Sequence, residues 1–132
     1  MLRLPSFAVV AASLTLLAGT ALVGCGGSST PAATVPADAN VVINAVSGIQ
    51  WEQKEYTATS TNGAVKIAVE NLSNEPHNLN LKDSSNVVVA KTLNIASRGS
   101  IDSGTFTLAP GVYAVFCLIP GHSNMKATLT VD

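Results

Sequence analysis

From residue 41 onward the chain is a succession of short apolar runs in which every second residue is hydrophobic, and turn sequences separate the runs. Val65, Ile67 and Val69 alternate with more polar neighbours, and the pattern returns at residues 127–131. Successive side chains of a strand point to opposite faces, so a period of two predicts a half-buried strand. No stretch has a helical period long enough to predict a helix. The sequence therefore predicts an all-β domain.

About seven or eight strands fit between residues 40 and 132, which is typical of one Greek-key β-sandwich. Strands are also predicted at residues 41–46 and 87–91, which are rich in β-branched residues. The segment 50–56 is interpreted as a loop whose aromatic residues, Trp51 and Tyr56, either pack in the core, which is favoured, or contact a partner. Four turns are predicted from Gly, Pro, Asn and Ser: Thr61-Asn62-Gly63, Asp83-Ser84-Ser85-Asn86, Ser97-Arg98-Gly99 and Ala109-Pro110-Gly111.

The N-terminal segment has the pattern of a secretion signal. Arg3 precedes an almost wholly apolar run that ends in Leu22-Val23-Gly24-Cys25, which resembles a bacterial lipobox. Residues 1–24 are predicted to be a lipoprotein signal peptide, Cys25 the lipidated residue, 25–39 a flexible tether rich in Gly, Ser, Pro and Ala, and 40–132 the folded domain. The alternative is an uncleaved transmembrane anchor, since the run is at the short edge of the roughly 17 to 25 residues that a bilayer requires. Both interpretations place the domain outside the cytoplasm on a bacterial membrane, on the periplasmic side or at the cell surface.

The charge of the chain argues against nucleic acid as a partner. The formal net charge is −1, and the five lysines and Arg98 are scattered along the sequence after the signal segment. A protein that binds phosphates needs a basic stripe or patch. We therefore expect no nucleic-acid binding.

The densest group of metal-binding side chains lies near the C-terminus. Cys117 ends a strand-like run, Pro120-Gly121 predicts a turn, and His122 and Met125 follow in the same short loop. Thiolate, imidazole and thioether donors suit a soft, redox-active metal, and two histidines with a cysteine and a weak axial methionine define the blue-copper site. The loop therefore indicates a copper site that lacks one histidine.

His77 is the only other histidine of the chain. Leu79 and Leu81 follow it on the same strand face, so the alternation places its imidazole on the core side. The separation from Cys117 is too long for a local metal knuckle and suits two neighbouring strands. Alternatives exist for each residue, because a cysteine can be a core residue, and a histidine or a methionine in a loop can be structural. The joint pattern favours a metal site.

Three motifs resemble those of the cupredoxins, the small blue copper protein family of plastocyanin, azurin, amicyanin and auracyanin. They are the segment from Asn71 to Pro76-His77-Asn78, the sequence Pro110-Gly111-Val112-Tyr113, and Cys117-Leu118-Ile119-Pro120-Gly121-His122 followed by Met125. The resemblance covers the region from about Tyr56 to the C-terminus. It implies a single type 1 copper ion with His77, Cys117 and His122 as equatorial ligands and Met125 as the axial one.

Two features depart from the family pattern. The gap from Cys117 to His122 resembles the loops of azurin and auracyanin, whereas the gap from His122 to Met125 is shorter and closer to that of amicyanin. In addition, Leu118 stands where several relatives carry a hydroxyl residue that Asn78 bonds. The tie between the two ligand loops is therefore expected to run to backbone groups.

The resemblance implies a monomeric electron carrier that serves redox proteins of a respiratory or photosynthetic chain. Such partners would dock on an apolar patch of Leu118, Ile119 and Pro120 beside His122, through which electrons would pass. The alternative is an extracytoplasmic protein that binds copper and transfers it. An enzyme is not expected, because a second copper centre would need further histidines. A structural sandwich without metal would leave Cys117 unexplained.

Overall fold

The computed structural model describes residues 32–132, which form nine β-strands and no helix. The predicted signal peptide, Cys25 and most of the predicted tether lie outside the described residues. Between residues 32 and 132 there is no helix of the length and apolarity needed to cross a membrane. The strands are β1 (Val41–Val46), β2 (Gln50–Trp51), β3 (Glu55–Ala58), β4 (Ala64–Asn71), β5 (His77–Lys82), β6 (Leu93–Ile95), β7 (Ile101–Thr107), β8 (Gly111–Phe116) and β9 (Lys126–Val131).

The strands form two sheets that enclose one hydrophobic core. The four-stranded sheet has the order β2-β1-β4-β7, and the five-stranded sheet has the order β3-β9-β8-β5-β6. Strands β1 and β4 pair in parallel, as do β3 and β9, and the remaining pairs are antiparallel. This architecture confirms the predicted all-β sandwich.

The alternation in the sequence places the core residues as predicted. Val65, Ile67 and Val69 of β4 are fully buried, and Leu129 and Val131 of β9 face them from the other sheet. Removal of such side chains from water is the main stabilising contribution, at roughly 1.5–3 kcal/mol for each large aliphatic side chain.

Two parts of the sequence interpretation were wrong in detail. The segment predicted to be a loop contains the short strands β2 and β3, which raises the strand count to nine. Trp51 and Tyr56 lie in these strands and are buried, so the favoured role in core packing is confirmed. The predicted strand at residues 87–91 is an exposed connection with a single bridge from Val88 to Lys82, and the strand begins at Leu93. The run has consecutive β-branched residues but no alternation, and of its three valines only Val89 packs partly against the core.

Ordered contacts begin a few residues before β1. The Asp38 carboxylate accepts a hydrogen bond from Lys66 Nζ at 2.6 Å, and this bond lowers the pKa of Asp38. Asn40 also bonds to β4, because its Oδ1 accepts from the backbone N–H of Lys66 at 2.6 Å.

Tyr113 forms the corner that its position before Cys117 suggests. Its side chain is buried, and its hydroxyl donates to the backbone carbonyl of Ala109 at 2.9 Å. The bond closes the turn that leads into β8, the strand that delivers Cys117.

Tyr113→Phe should lower the free energy of unfolding by about 1 kcal/mol, the usual net contribution of one intramolecular hydrogen bond. Urea denaturation of the metal-free protein measures this change. Tyr56→Phe is the matched control, because Tyr56 is also buried and its hydroxyl accepts from the backbone N–H of Gln53, a residue that is exposed as a whole. An equal loss in both variants would contradict a special role for the corner.

Candidate metal centre

His77 is placed by the register of the five-stranded sheet. It is the first residue of β5 and pairs with Ile95 of β6 on one side. On the other side Asn80 pairs with Phe116, so the start of β5 lies beside the end of β8. His77, Leu79 and Leu81 face the core as predicted, and the imidazole is only 2% exposed.

Two consecutive turns carry the loop after β8 back past the end of the strand. The backbone N–H of His122 donates to the Ile119 carbonyl at 3.0 Å. Pro120 and Gly121 occupy the central positions, and the φ of 88° at Gly121 is the left-handed value that a type II turn needs at its third residue. The Met125 N–H then donates to the His122 carbonyl at 2.9 Å. The predicted turn is therefore present, and it fixes the directions in which His122 and Met125 leave the backbone.

The structure brings His77, Cys117 and His122 together. His77 Nδ1 lies 3.2 Å from His122 Nδ1, and Cys117 Sγ lies 3.6 Å from the same His122 nitrogen. One ligand atom from each residue lies within 4.8 Å of the others, and all three side chains are buried. The tertiary fold thus joins residues that are 45 positions apart in the sequence.

Met125 follows these residues into the interior. Its side chain is fully buried and belongs to the same hydrophobic cluster as Cys117. The role of Met125 as the axial ligand stays a prediction.

A side-chain hydrogen bond ties the two ligand segments together. Asn78 Oδ1 accepts from the backbone N–H of Leu118 at 2.8 Å, so the tie runs to a backbone group as expected from Leu118. Asn80 Nδ2 donates to the same oxygen at 2.8 Å, and the Thr92 hydroxyl donates to Asn80 Oδ1 at 2.7 Å. The loop that carries Cys117 and His122 is therefore fastened to β5 by a hydrogen bond between protein groups.

The second nitrogen of His77 is also bonded. His77 Nε2 lies 2.8 Å from Ser73 Oγ, and the Ser73 hydroxyl donates to Asn71 Oδ1 at 2.9 Å. Ser73 and Asn80 bond to the predicted site but were not identified from the sequence. Asn80 stands between two leucines and Ser73 lies in a polar segment, and neither setting specifies a bonding partner.

Electrostatics around His77 favour the form that binds metals. Burial lowers the pKa of His77, and the His122 imidazole lowers it further, while Glu75 acts in the opposite direction. The imidazole is therefore neutral at neutral pH, and a neutral imidazole offers a lone pair to a metal.

The donor set fits a copper ion. Soft thiolate and thioether groups with two imidazoles favour copper or zinc over hard cations, and the trigonal His-His-Cys set with a long axial contact is the arrangement of blue copper.

The apolar patch predicted beside the site is partly exposed. Leu118 is 60% exposed and Pro120 is exposed, whereas Ile119 is half-buried against the core. His122 is 8% exposed, so its imidazole lies close to the surface beside these apolar residues.

Known structures share this fold. Reduced auracyanin from Roseiflexus castenholzii is 21% identical with a TM-score of 0.55, covering 69% of this chain and 94% of that chain. Azurin iso-2 from Methylomonas sp. strain J is 18% identical with a TM-score of 0.61, covering 73% and 99%. Auracyanin A, a blue copper protein from Chloroflexus aurantiacus, is 22% identical with a TM-score of 0.58, covering 70% and 97%. No curated protein sequence matches the chain.

A family model gives the assignment that the structural likeness alone does not. Residues 37–132 match the family of copper binding proteins described as the plastocyanin/azurin family. This match and the cluster of His77, Cys117 and His122 support a single type 1 copper ion as the cofactor. The chain therefore belongs to the plastocyanin/azurin family of copper binding proteins, the cupredoxins.

Proposed function

We propose that this protein is a membrane-tethered, mononuclear type 1 copper protein that carries single electrons between redox partners. His77, Cys117 and His122 would be the equatorial ligands and Met125 the axial one. The observation that carries the proposal is the convergence of three buried donors, one from a strand and two from a single loop, within 4.8 Å. The bound ion would supply a couple of Cu(I) and Cu(II).

The protein's contribution is to hold the donors in place. Two backbone turns orient His122 and Met125, and the bond from Leu118 N–H to Asn78 Oδ1 fixes the loop against β5. Because none of these bonds involves a metal, the donor positions are set before the ion binds. A site with fixed donors needs little rearrangement when the charge of the ion changes, which favours fast outer-sphere transfer.

The proposed route of the electron is based on how exposed the side chains around the site are. His77 and Met125 are enclosed by the core, whereas His122 lies under the surface beside the exposed Leu118 and Pro120. We infer that partners dock on the patch of Leu118, Ile119 and Pro120 and that electrons pass through His122. Both histidines of the chain are used by one site, so a second copper centre and an enzymatic activity are not proposed.

The location and the partners are proposed from the sequence and from the nature of similar proteins. The lipobox-like residues before Cys25 support a lipid anchor outside the cytoplasm, with the segment between Cys25 and the first ordered contact at Asp38 as the tether. Two similar solved structures come from photosynthetic bacteria. We propose that the protein acts as a monomer with redox proteins of a respiratory or photosynthetic chain.

Titration of the protein with Cu(II), followed by visible absorption and electron paramagnetic resonance, tests the proposal. An intense thiolate-to-copper band with a small copper hyperfine splitting is expected. A colourless protein, or one that reduces Cu(II) and forms a dimer through Cys117, would contradict it. Rapid loss of the copper to a chelator would favour the alternative, a copper-transfer protein, because an electron carrier retains its ion.

Met125→Leu should keep the visible colour and raise the reduction potential. Leucine fills a similar volume in the core but lacks the sulfur, and loss of an axial donor disfavours Cu(II) more than Cu(I). Protein-film voltammetry gives the potential of both forms. An unchanged potential would show that Met125 packs in the core without acting as a ligand.

A further inference from the structure

We infer that Ser73 is a positioning residue for the metal centre. Its hydroxyl accepts a hydrogen bond from His77 Nε2 and thereby presents His77 Nδ1 to copper as an unprotonated donor. This inference rests on the proposed function, and it concerns a side chain that is not itself a ligand. It is carried by the direction of four hydrogen bonds among buried groups.

The donors and acceptors of the hydrogen bonds around Ser73 can be assigned from the orientation of the Asn71 side chain. Its Nδ2 lies 2.7 Å from the Glu75 carbonyl and 3.1 Å from the Ile95 carbonyl. Carbonyl oxygens only accept, so the amide must present its two N–H groups to them. The orientation of the Asn71 side chain is therefore fixed, and its Oδ1 faces Ser73.

The position of the Ser73 proton follows. Asn71 Oδ1 lies 2.9 Å from Ser73 Oγ and also accepts the Ser73 backbone N–H at 2.9 Å. Two oxygens at hydrogen-bond distance repel each other unless a proton lies between them, and the Ser73 hydroxyl is the only source of that proton. The Glu75 carbonyl, 3.2 Å from Ser73 Oγ, is a second possible partner, and it too can only accept a hydrogen bond from the hydroxyl.

The tautomer of His77 is then determined. With its proton directed to a carbonyl oxygen, Ser73 Oγ can only accept from His77 Nε2 at 2.8 Å. His77 Nε2 is therefore the protonated nitrogen. The lone pair lies on Nδ1, the nitrogen that points to His122 Nδ1 at 3.2 Å. A neutral imidazole carries one ring proton, so this bond selects the nitrogen that binds metal.

The burial of these side chains strengthens the preference for this tautomer of His77. Asn71 and Ser73 are fully buried, and His77 is 2% exposed. A buried polar group that loses its partner is left unsatisfied, so removing the Ser73 hydroxyl leaves the Nε2 proton without a partner or lets the ring change tautomer and orientation. Either change weakens Nδ1 as a donor.

The test compares variants with and without a hydroxyl group at residue 73, together with a control at another serine. Ser73→Ala and Ser73→Val remove it, Ser73→Thr keeps it in the same volume as valine, and Ser97→Ala alters an exposed serine outside the network. Affinity for Cu(I) is measured by competition with a chromogenic chelator, and the reduction potential by voltammetry. We expect Ser73→Ala and Ser73→Val to bind Cu(I) more weakly by about 10- to 100-fold, the usual effect of losing the partner of a ligating histidine. Their potentials should rise, and Ser73→Thr and Ser97→Ala should match the parent protein.

The outcomes separate this inference from the proposed function. Unchanged affinity and potential in Ser73→Ala and Ser73→Val, with an intense blue band in the parent protein, would overturn the role of Ser73 and leave the electron-carrier proposal intact. A parent protein without the blue band would instead overturn the proposed function. If neither hydroxyl-free variant folds, two-bond proton-nitrogen correlation spectra of the parent protein read the His77 tautomer directly. A proton on Nε2 would support the inference, and a proton on Nδ1 would overturn it.

Discussion

Replacing Cys117 by alanine should abolish the intense visible absorption of the copper-loaded protein almost completely. The band arises from charge transfer between a thiolate and Cu(II), and Cys117 is the only thiol among residues 32–132. Its sulfur lies 3.6 Å from His122 Nδ1. The measurement is an absorption spectrum of each variant after loading with one equivalent of Cu(II).

The neighbouring residue supplies the control for this variant. Leu118→Ala changes the next side chain, which is 60% exposed and has no donor atom, and it leaves the backbone N–H that bonds Asn78 in place. This variant should remain blue. A blue Cys117→Ala variant would mean that another group binds the ion, and the ligand assignment would then be wrong.

Replacing His122 by glycine should remove the native band and leave a gap that added imidazole refills. His122 follows the Pro120-Gly121 turn and lies close to the surface, so its loss opens the site towards solvent without removing a residue from β5 or β8. Absorption spectra recorded over an imidazole titration measure the recovery. Electron exchange with a redox partner should stay slow until imidazole is added.

His77→Gly is the matched comparison for His122→Gly. The His77 side chain is enclosed by the core and bonded to Ser73, so the gap lies deeper. Recovery of the band should then need a higher imidazole concentration. Normal electron exchange by His122→Gly without imidazole would show that electrons enter by another route.

The sequence was sufficient to predict the strands in which burial alternates. In β4 and β9, one face is apolar and the other is polar, so a pattern with a period of two identified both the strand and its inward residues. The same argument placed His77 on the core side. The pattern did not reveal the short strands β2 and β3, because two to four residues are too few to show a period. The pairing of β3 also depends on β9, which is distant along the chain.

The grouping of His77, Cys117 and His122 was predictable because their side-chain types are rare in the chain, whereas the hydrogen-bond networks behind them were not. Asn80 lies on the outward face of β5, where the pattern predicts exposure, yet it is 1% exposed. Phe116 is its partner on β8, and Thr92 bonds it from the start of the neighbouring segment. Its burial results from side chains that meet only in the folded sheet, and no local pattern contains that information.

The grouping of Cys117, His122 and Met125 in one short loop has a consequence for copper-induced thermal stabilisation. A ligand stabilises a protein only to the extent that it prefers the native to the unfolded chain. Unfolding separates His77 from the other donors, but it leaves a thiol, an imidazole and a thioether next to each other on a flexible peptide that still chelates copper. The increase in melting temperature on adding copper should therefore be smaller than the affinity of the folded protein alone implies.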